Sequence, residues 1–174
     1  VTESKDAEFT DFVAHHGGHL LRTACLVTGD SHRGEDLLQT ALAKAYGSWS
    51  KVRAADHPVA YVRRLMINAH LSWLRRLANA EQVVESLPET GSGDLQAAHA
   101  ETDVMRRALL TLSPRVRTAV VLRYFDDLSE ADTARVMGCS RSTVNNHITK
   151  GLAALRVLLA ATGDDLTPTS RRTS

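Results

Sequence analysis

The sequence predicts an all-α protein: two small helical domains joined by a flexible acidic linker, the second domain a helix-turn-helix. Three observations carry this. Apolar residues recur at three- and four-residue spacing along most of the chain. Sustained period-two alternation and clustered β-branched residues, the marks of strands, are missing from the sequence. Pro88, Gly91, Ser92 and Gly93 interrupt the helical pattern once, within an acidic block.

Each element follows in order. Phe9, Phe12, Val13, His16, Leu20 and Val27 mark a first amphipathic helix, broken at Thr28-Gly29-Asp30. Leu38, Ala41, Leu42, Ala45 and Trp49 mark a second. A loop from Ser50 to His57 follows, and Pro58 suits the first turn of the next helix. Val62, Leu65, Met66, Ala69, Trp73 and Leu77 form its stripe, and both Trp49 and Trp73 read as core. After the linker, helix resumes near Leu95 and runs towards Leu110. Ser113-Pro114 reads as an N-cap and first-turn proline, with Val116, Val120 and Tyr124 on the helix that follows. Asp126-Asp127 ends that helix, and Ser129-Glu130-Ala131-Asp132 resembles a capping box with Asp in the place of Glu. A short helix ends at Gly138, and a last one spans about Arg141 to Leu159. The expected units are residues 1–78, a linker at 79–94, a second unit at 95–160 and a disordered tail at 161–174, rich in Thr, Ser and Asp.

Among 174 residues, 43% are apolar, enough for one ordinary domain or two small ones. No apolar run approaches the roughly 20 residues of a membrane span. The polar, acidic start from Val1 to Phe9 predicts no secretory leader. Cys25 and Cys139 stand far apart among apolar neighbours, so neither a disulfide scaffold nor a zinc site is expected. A cytoplasmic protein without membrane insertion is the expectation.

The net charge of +1 conceals segmentation. Residues 1–43 carry three basic and seven acidic side chains. Residues 44–78 carry seven basic ones against Asp56 alone. Residues 79–103 carry six acids and no Lys or Arg, and residues 104–160 carry nine basic and four acidic side chains. Two basic blocks flanking an acidic one suit two surfaces for a polyanion, although solvated helix faces give the same pattern.

The helix-turn-helix reading rests on Ala134 at the helix crossing, Gly138 at the turn and Val144 as the plug of the second helix. On that helix Val144, Ile148, Leu152, Leu155 and Leu159 form one buried stripe, and Ser142, Asn145, Asn146 and Thr149 share another face. The face is short-chained and uncharged, flanked by Arg141 and Lys150, and no acid occurs from Arg141 to Gly163. Asn can bond adenine edges, hydroxyls can bond several bases, and cations suit phosphates. Together with Thr143, these residues form the candidate duplex-reading set. In the first unit, Arg64, Asn68, Ser72 and Arg75 line the face opposite the apolar stripe, and the loop supplies Lys51 and Arg53. With Arg63 they form a second candidate set, suited to separated strands. Asp36, Leu37, Gln39, Thr40 and Lys44 form a candidate docking face for a partner helix.

These residues carry a family resemblance. Glu35-Asp36-Leu37-Leu38-Gln39, Trp49, Pro58-Val59-Ala60-Tyr61-Val62-Arg63-Arg64, Asn68 and Trp73-Leu74-Arg75-Arg76 resemble region two of an extracytoplasmic-function sigma factor. Leu112-Ser113-Pro114-Arg115, Leu122-Arg123-Tyr124, Leu128-Ser129-Glu130-Ala131, Ala134, Gly138-Cys139-Ser140 and Thr143-Val144 resemble region four. The match runs in order from Phe9 to Leu159 and is similar to actinobacterial members. The resemblance implies a transcription initiation factor, not an enzyme, that binds core RNA polymerase and promoter DNA. The first unit would bind the clamp helices of the largest subunit through Asp36, Leu37, Gln39 and their neighbours. It would also capture the melted −10 element with loop 50–57 and the helix around Arg64 and Asn68. The second unit would lie on the flap of the second-largest subunit and read the −35 element. The resemblance leaves room for an anti-sigma partner. Family members commonly carry Lys-Ser or similar after Thr-Val; here Asn145-Asn146-His147 stands there, so no consensus promoter is carried over.

Two other classes fit parts of the chain. His15, His16 and His19 could suggest a metal-dependent enzyme, but His15 and His16 point apart and no ligand set is completed, so no metal and no cofactor is expected. A DNA-binding regulator that never meets polymerase explains the second unit and leaves the first unexplained.

Overall fold

The computed structural model describes residues 2–81 and 100–162. Among them lie eight helices and no strand. The linker and the tail beyond Thr162 lie outside the described residues.

The first four helices are α1 (Thr2–Thr28), α2 (Ser31–Gly47), α3 (Trp49–Arg53) and α4 (Pro58–Glu81). Helix α1 starts seven residues before Phe9, which opens its apolar stripe. It stops where Gly29 adopts φ +77°, a backbone conformation that a Cβ disfavours. Asp30 then caps α2, its Oδ1 accepting from the Arg33 N–H at 2.8 Å. Helices α1 and α2 cross so closely that a Cβ on Gly34 would lie 2.8 Å from the Cys25 backbone. Trp49 is buried against Phe9 and Phe12, edge-to-face at 5.2 and 5.4 Å. The expected loop from Ser50 to His57 needs correction: its first part is helix α3, because Trp49 and Val52 are both buried and anchor one turn. Trp73 is only half-buried, unlike Trp49.

The remaining helices are α5 (Ala100–Leu110), α6 (Pro114–Tyr124), α7 (Glu130–Met137) and α8 (Arg141–Thr162). Ala161 and Thr162, expected in the tail, continue α8 instead. Ser113 stands at the N-cap of α6 but its side chain makes no capping bond. Ser129 does cap α7: its Oγ accepts from the Asp132 N–H at 3.0 Å. The reciprocal arm differs from a Glu capping box. The Asp132 carboxylate, one methylene shorter, accepts from the Ser129 hydroxyl at 2.7 Å. That bond and the nearby Arg135 hold the Asp132 carboxyl below its usual range. Gly138 takes the left-handed conformation at φ +64°, and α8 begins after it. Ala134 and Val144 are buried at the crossing. Further along α8, a Cβ on Gly151 would meet the Val120 side chain at 2.6 Å, so the glycine makes room for the valines of α6.

One buried cluster of apolar side chains runs through both sets of helices. Helix α6 packs on α1, and α7 packs on α4. The sequence reading joined the two units only by a tether; here they also share an interface.

Candidate nucleic-acid interface

Two-turn geometry presents the polar face of α8. Ser142, Asn145, Asn146 and Thr149 are all exposed, as are Arg141 and Lys150 at its flanks. The apolar side of the same helix explains the orientation: Val144, Ile148 and Leu155 are buried. The N-terminus of α8 is braced by hydroxyls. The Ser140 Oγ accepts from the Thr143 N–H at 3.1 Å and lies 2.8 Å from both Ser142 Oγ and Thr143 Oγ1. Thr143 is thereby half-buried and engaged in the cap, whereas both Asn side chains stand free at the surface. Burial, then the cations of Arg115 and Lys150, pull the His147 imidazole below its usual range, which favours a neutral ring beside that face.

The candidate residues of the first unit divide. Arg64, Asn68 and Arg75 are exposed on α4 and Lys51 on α3. Arg75 donates to the Ser72 hydroxyl at 2.9 Å. Arg53 is paired with Glu8 at 3.0 Å, and this pair with the Trp49 N–H keeps the Glu8 carboxyl below its usual range. Arg63 is turned inward, 11% exposed, against Asp126.

The docking set lies on α2. Asp36, Gln39, Thr40 and Lys44 are exposed and Leu37 is half-buried. Between α2 and α4 runs a groove of about 580 Å³, lined by Asp36, Leu37, Thr40 and Lys44 on one side and Asn68, Ser72 and Trp73 on the other. All of the docking set but Gln39, and part of the strand-binding set, therefore share one groove. The Arg33 guanidinium lies over the Trp73 ring at 5.2 Å. His70, buried beneath the groove, has an Nε2 without a hydrogen-bond partner. Burial, aided by the Arg117 cation, lowers its pKa to about 4, so the ring is neutral at pH 7.

Five polar residues make contacts between the units, Asp126, His19, Thr23, Arg63 and Arg117, and the sequence reading assigned none of them there. The side chain of Asp126, in the turn after α6, is fully buried. Its Oδ1 lies 2.7 Å from His19 Nε2 and accepts from the Thr23 hydroxyl at 2.7 Å. Its Oδ2 lies 2.9 Å from Arg63 Nε, an ion pair without hydrogen-bond alignment. Arg117 of α6 donates to the carbonyls of Val27 and Thr28 at 3.1 and 3.4 Å, placing a cation at the C-terminus of α1. Arg117 did leave a signal, a charge inside the apolar run from Val116 to Leu122. Asp126 read as helix punctuation only.

The three histidines of α1 go separate ways. His15 Nδ1 lies 2.7 Å from the Asp11 carbonyl, His16 packs on Phe12, and His19 meets Asp126. Among the described residues no group of three His, Cys, Asp or Glu side chains could hold a metal. No described helix is long and apolar enough to cross a membrane.

A helix-turn-helix with an exposed, acid-free polar face, packed on a second helical unit with its own basic helix, is the architecture of a two-part DNA-binding protein. Comparison with known proteins makes this specific. Residues 12–80 match Sigma-70 region 2, and residues 102–155 match Sigma-70, region 4. The chain is 37% identical over 154 residues to the RNA polymerase sigma-E factor of Streptomyces coelicolor, covering 88% of this chain and 87% of that one. It is 30% identical to the ECF RNA polymerase sigma factor SigM of Mycobacterium tuberculosis, covering 87% and 76%. Its fold is similar to that of the sigma factor RpoE from Bartonella quintana, solved in complex with the anti-sigma factor NepR, with a TM-score of 0.72, 21% identity and coverage of 88% and 97%. The chain belongs to the sigma-70 family, among the extracytoplasmic-function RNA polymerase sigma factors, and serves promoter-specific transcription initiation.

Proposed function

We propose a division of labour within that activity. Helix α8 enters the major groove of the −35 element. Asn145 and Asn146 bond base edges, Ser142 and Thr149 add hydroxyl contacts, and Arg141 and Lys150 hold phosphates. Thr143 acts through the cap that orients the first turn. In the first unit, Arg64, Asn68, Ser72 and Arg75, with Lys51, Arg53 and Arg63, hold the melted −10 strand. A captured, unstacked base offsets a melting cost of a few kcal/mol, so no ATP is required. Asp36, Leu37, Gln39, Thr40 and Lys44 dock the clamp helices of the polymerase's largest subunit, and the second unit rests on the flap of the other large subunit. The chain thus works where polymerase works, in the cytoplasm, as a factor whose partner supplies the chemistry. An anti-sigma factor is the proposed restraining partner. Residues 1–78 and 95–160 are the working units, with 79–94 as the tether and 161–174 as a tail.

The observation that carries this reading is the exposed, acid-free amide face of α8. The test is in vitro transcription with sigma-free core polymerase and a pool of genomic promoter fragments, followed by sequencing of the transcripts. Defined start sites with shared −35 and −10 patterns are expected. Retention on core without transcripts would leave the −10 and −35 assignments unsupported. Absence of core binding would overturn the α2 assignment.

A further inference from the structure

We propose that Glu8 is a positioning residue for −10 strand capture: its carboxylate, reaching across from α1, holds the Arg53 guanidinium of α3 in the orientation that meets the strand. The inference rests on the reading of Arg53 as a −10 contact.

Helix α3 does not hold its own place. It has five residues, and the Ser48 side chain at its start makes no capping bond. A single turn of helix is unfavourable in isolation, so its orientation comes from its ties to the rest of the fold. On the inner side those ties are Trp49 and Val52, both buried. They fix how deep the turn sits. The outer side, with exposed Lys51 and Arg53, needs a tie of its own.

One carboxylate supplies it. The Glu8 Oε2 accepts from the Trp49 indole N–H at 3.2 Å. The Arg53 Nη1 lies 3.0 Å from both Glu8 oxygens. Trp49 and Arg53 are the first and last residues of α3 and share one face of it, so the same group grips both ends. Glu8 is held in turn. Ser4 donates to its Oε1 at 3.2 Å, and Phe9, next in the chain, packs edge-to-face on Trp49 at 5.2 Å. The same turns of α1 also reach the end of α2. The Tyr46 hydroxyl donates to Asp6 at 2.5 Å, and the Lys5 ammonium lies 3.8 Å from the centre of the Tyr46 ring. The match to Sigma-70 region 2 begins at residue 12, so every one of these α1 residues precedes it.

Glu8 acts on an incoming strand in two opposed ways. A carboxylate beside a phosphate contact repels the phosphate, so by charge alone Glu8 is an obstacle. A carboxylate that engages one Nη leaves the remaining donors of the guanidinium to meet a phosphate from a fixed direction. The bond to Trp49 decides for the second: it ties the carboxylate to a buried anchor, and Arg53 is referred to the core through it. The ion pair has little weight as a stability device, because its side chains are 57% and 39% exposed.

The test measures promoter opening by core polymerase carrying the full chain or a variant, read from 2-aminopurine placed in the −10 element of a promoter that the native chain serves. Thermal unfolding of each free chain is read beside it. Glu8→Ala is expected to slow opening about tenfold and to leave unfolding where it was. Glu8→Gln keeps the side-chain length and one acceptor oxygen and is expected to recover part of that loss. Arg53→Ala is expected to slow opening as well, and Glu8→Ala/Arg53→Ala to lie within about twofold of Arg53→Ala alone, because Glu8 acts through Arg53. Faster opening in both Glu8→Ala and Glu8→Gln overturns the proposal in favour of charge repulsion. Losses that multiply in the double variant, or a Glu8→Ala loss matched by a lowered unfolding temperature, overturn it in favour of a structural role. A loss in Arg53→Ala with none in Glu8→Ala overturns the positioning role and leaves the −10 reading of Arg53 standing. No loss in Arg53→Ala overturns that reading and the proposal with it.

Discussion

The polar face of α8 and the cluster around Asp126 use similar side chains for opposite ends. Both combine hydroxyls with a cation, yet one faces solvent and the other surrounds a carboxylate buried between two units. On α8, Asn145 and Asn146 stand exposed, so their bonding capacity is available to an incoming base. At Asp126, each carboxylate oxygen already has a partner. A polar group left open at a surface can recognise a ligand at little cost in stability. A polar group in the interior must be matched, because an unpaired buried charge costs several kcal/mol.

The sharpest way to break this contrast is to remove the open groups. Asn145→Ala/Asn146→Ala is expected to lose about 4 kcal/mol of promoter discrimination, about a thousandfold in transcription from the native promoter. Thermal unfolding is expected to stay where it was, because neither side chain is buried. A lowered melting temperature would place these residues in the structural class instead.

The next largest effect belongs to a buried group. His70 has a pKa of about 4 in the folded chain against 6.5 as its ordinary value. Between those values the unfolded chain binds the additional proton. Its contribution is therefore whole above pH 6.5 and is lost progressively as pH falls towards 4. On the order of 3 kcal/mol is at stake. Chemical denaturation at pH 7 and at pH 4.5 reads this, and His70→Leu is expected to remove most of the difference between them.

Ser129→Ala removes the α7 cap and is expected to cost about 1 kcal/mol of stability. Equilibrium unfolding measures it, and a loss of −35 binding without any loss of stability would contradict the capping role. The smallest effect is expected at Lys150→Ala, the proposed phosphate contact. It should weaken binding about equally for all sequences and reduce the salt slope by about one, as read by DNA binding across a salt series.

The same contrast explains what the sequence disclosed. The exposed polar face of α8 was legible because a helix that must bury Val144, Ile148 and Leu155 has its opposite face fixed by the 3.6-residue repeat. Gly138 was legible because few residues other than glycine accept the turn conformation. Helix α3 was missed because five residues are too few to show a period, and only burial of Trp49 and Val52 defines it. Arg63 read as part of the basic set, and its inward turn depends on Asp126, 63 residues away in the chain. No local pattern encodes such a pair. Asp126 looked like punctuation because it is that as well; its second role appears only once α6 lies on α1.

The account turns most directly on whether α8 chooses the −35 sequence. A promoter library randomised separately at the −35 and −10 positions, transcribed by core polymerase with the native chain and with Asn145→Ala/Asn146→Ala, decides it. The account predicts that the variant loses the −35 preference and keeps the −10 preference. An unchanged −35 preference in the variant would contradict it.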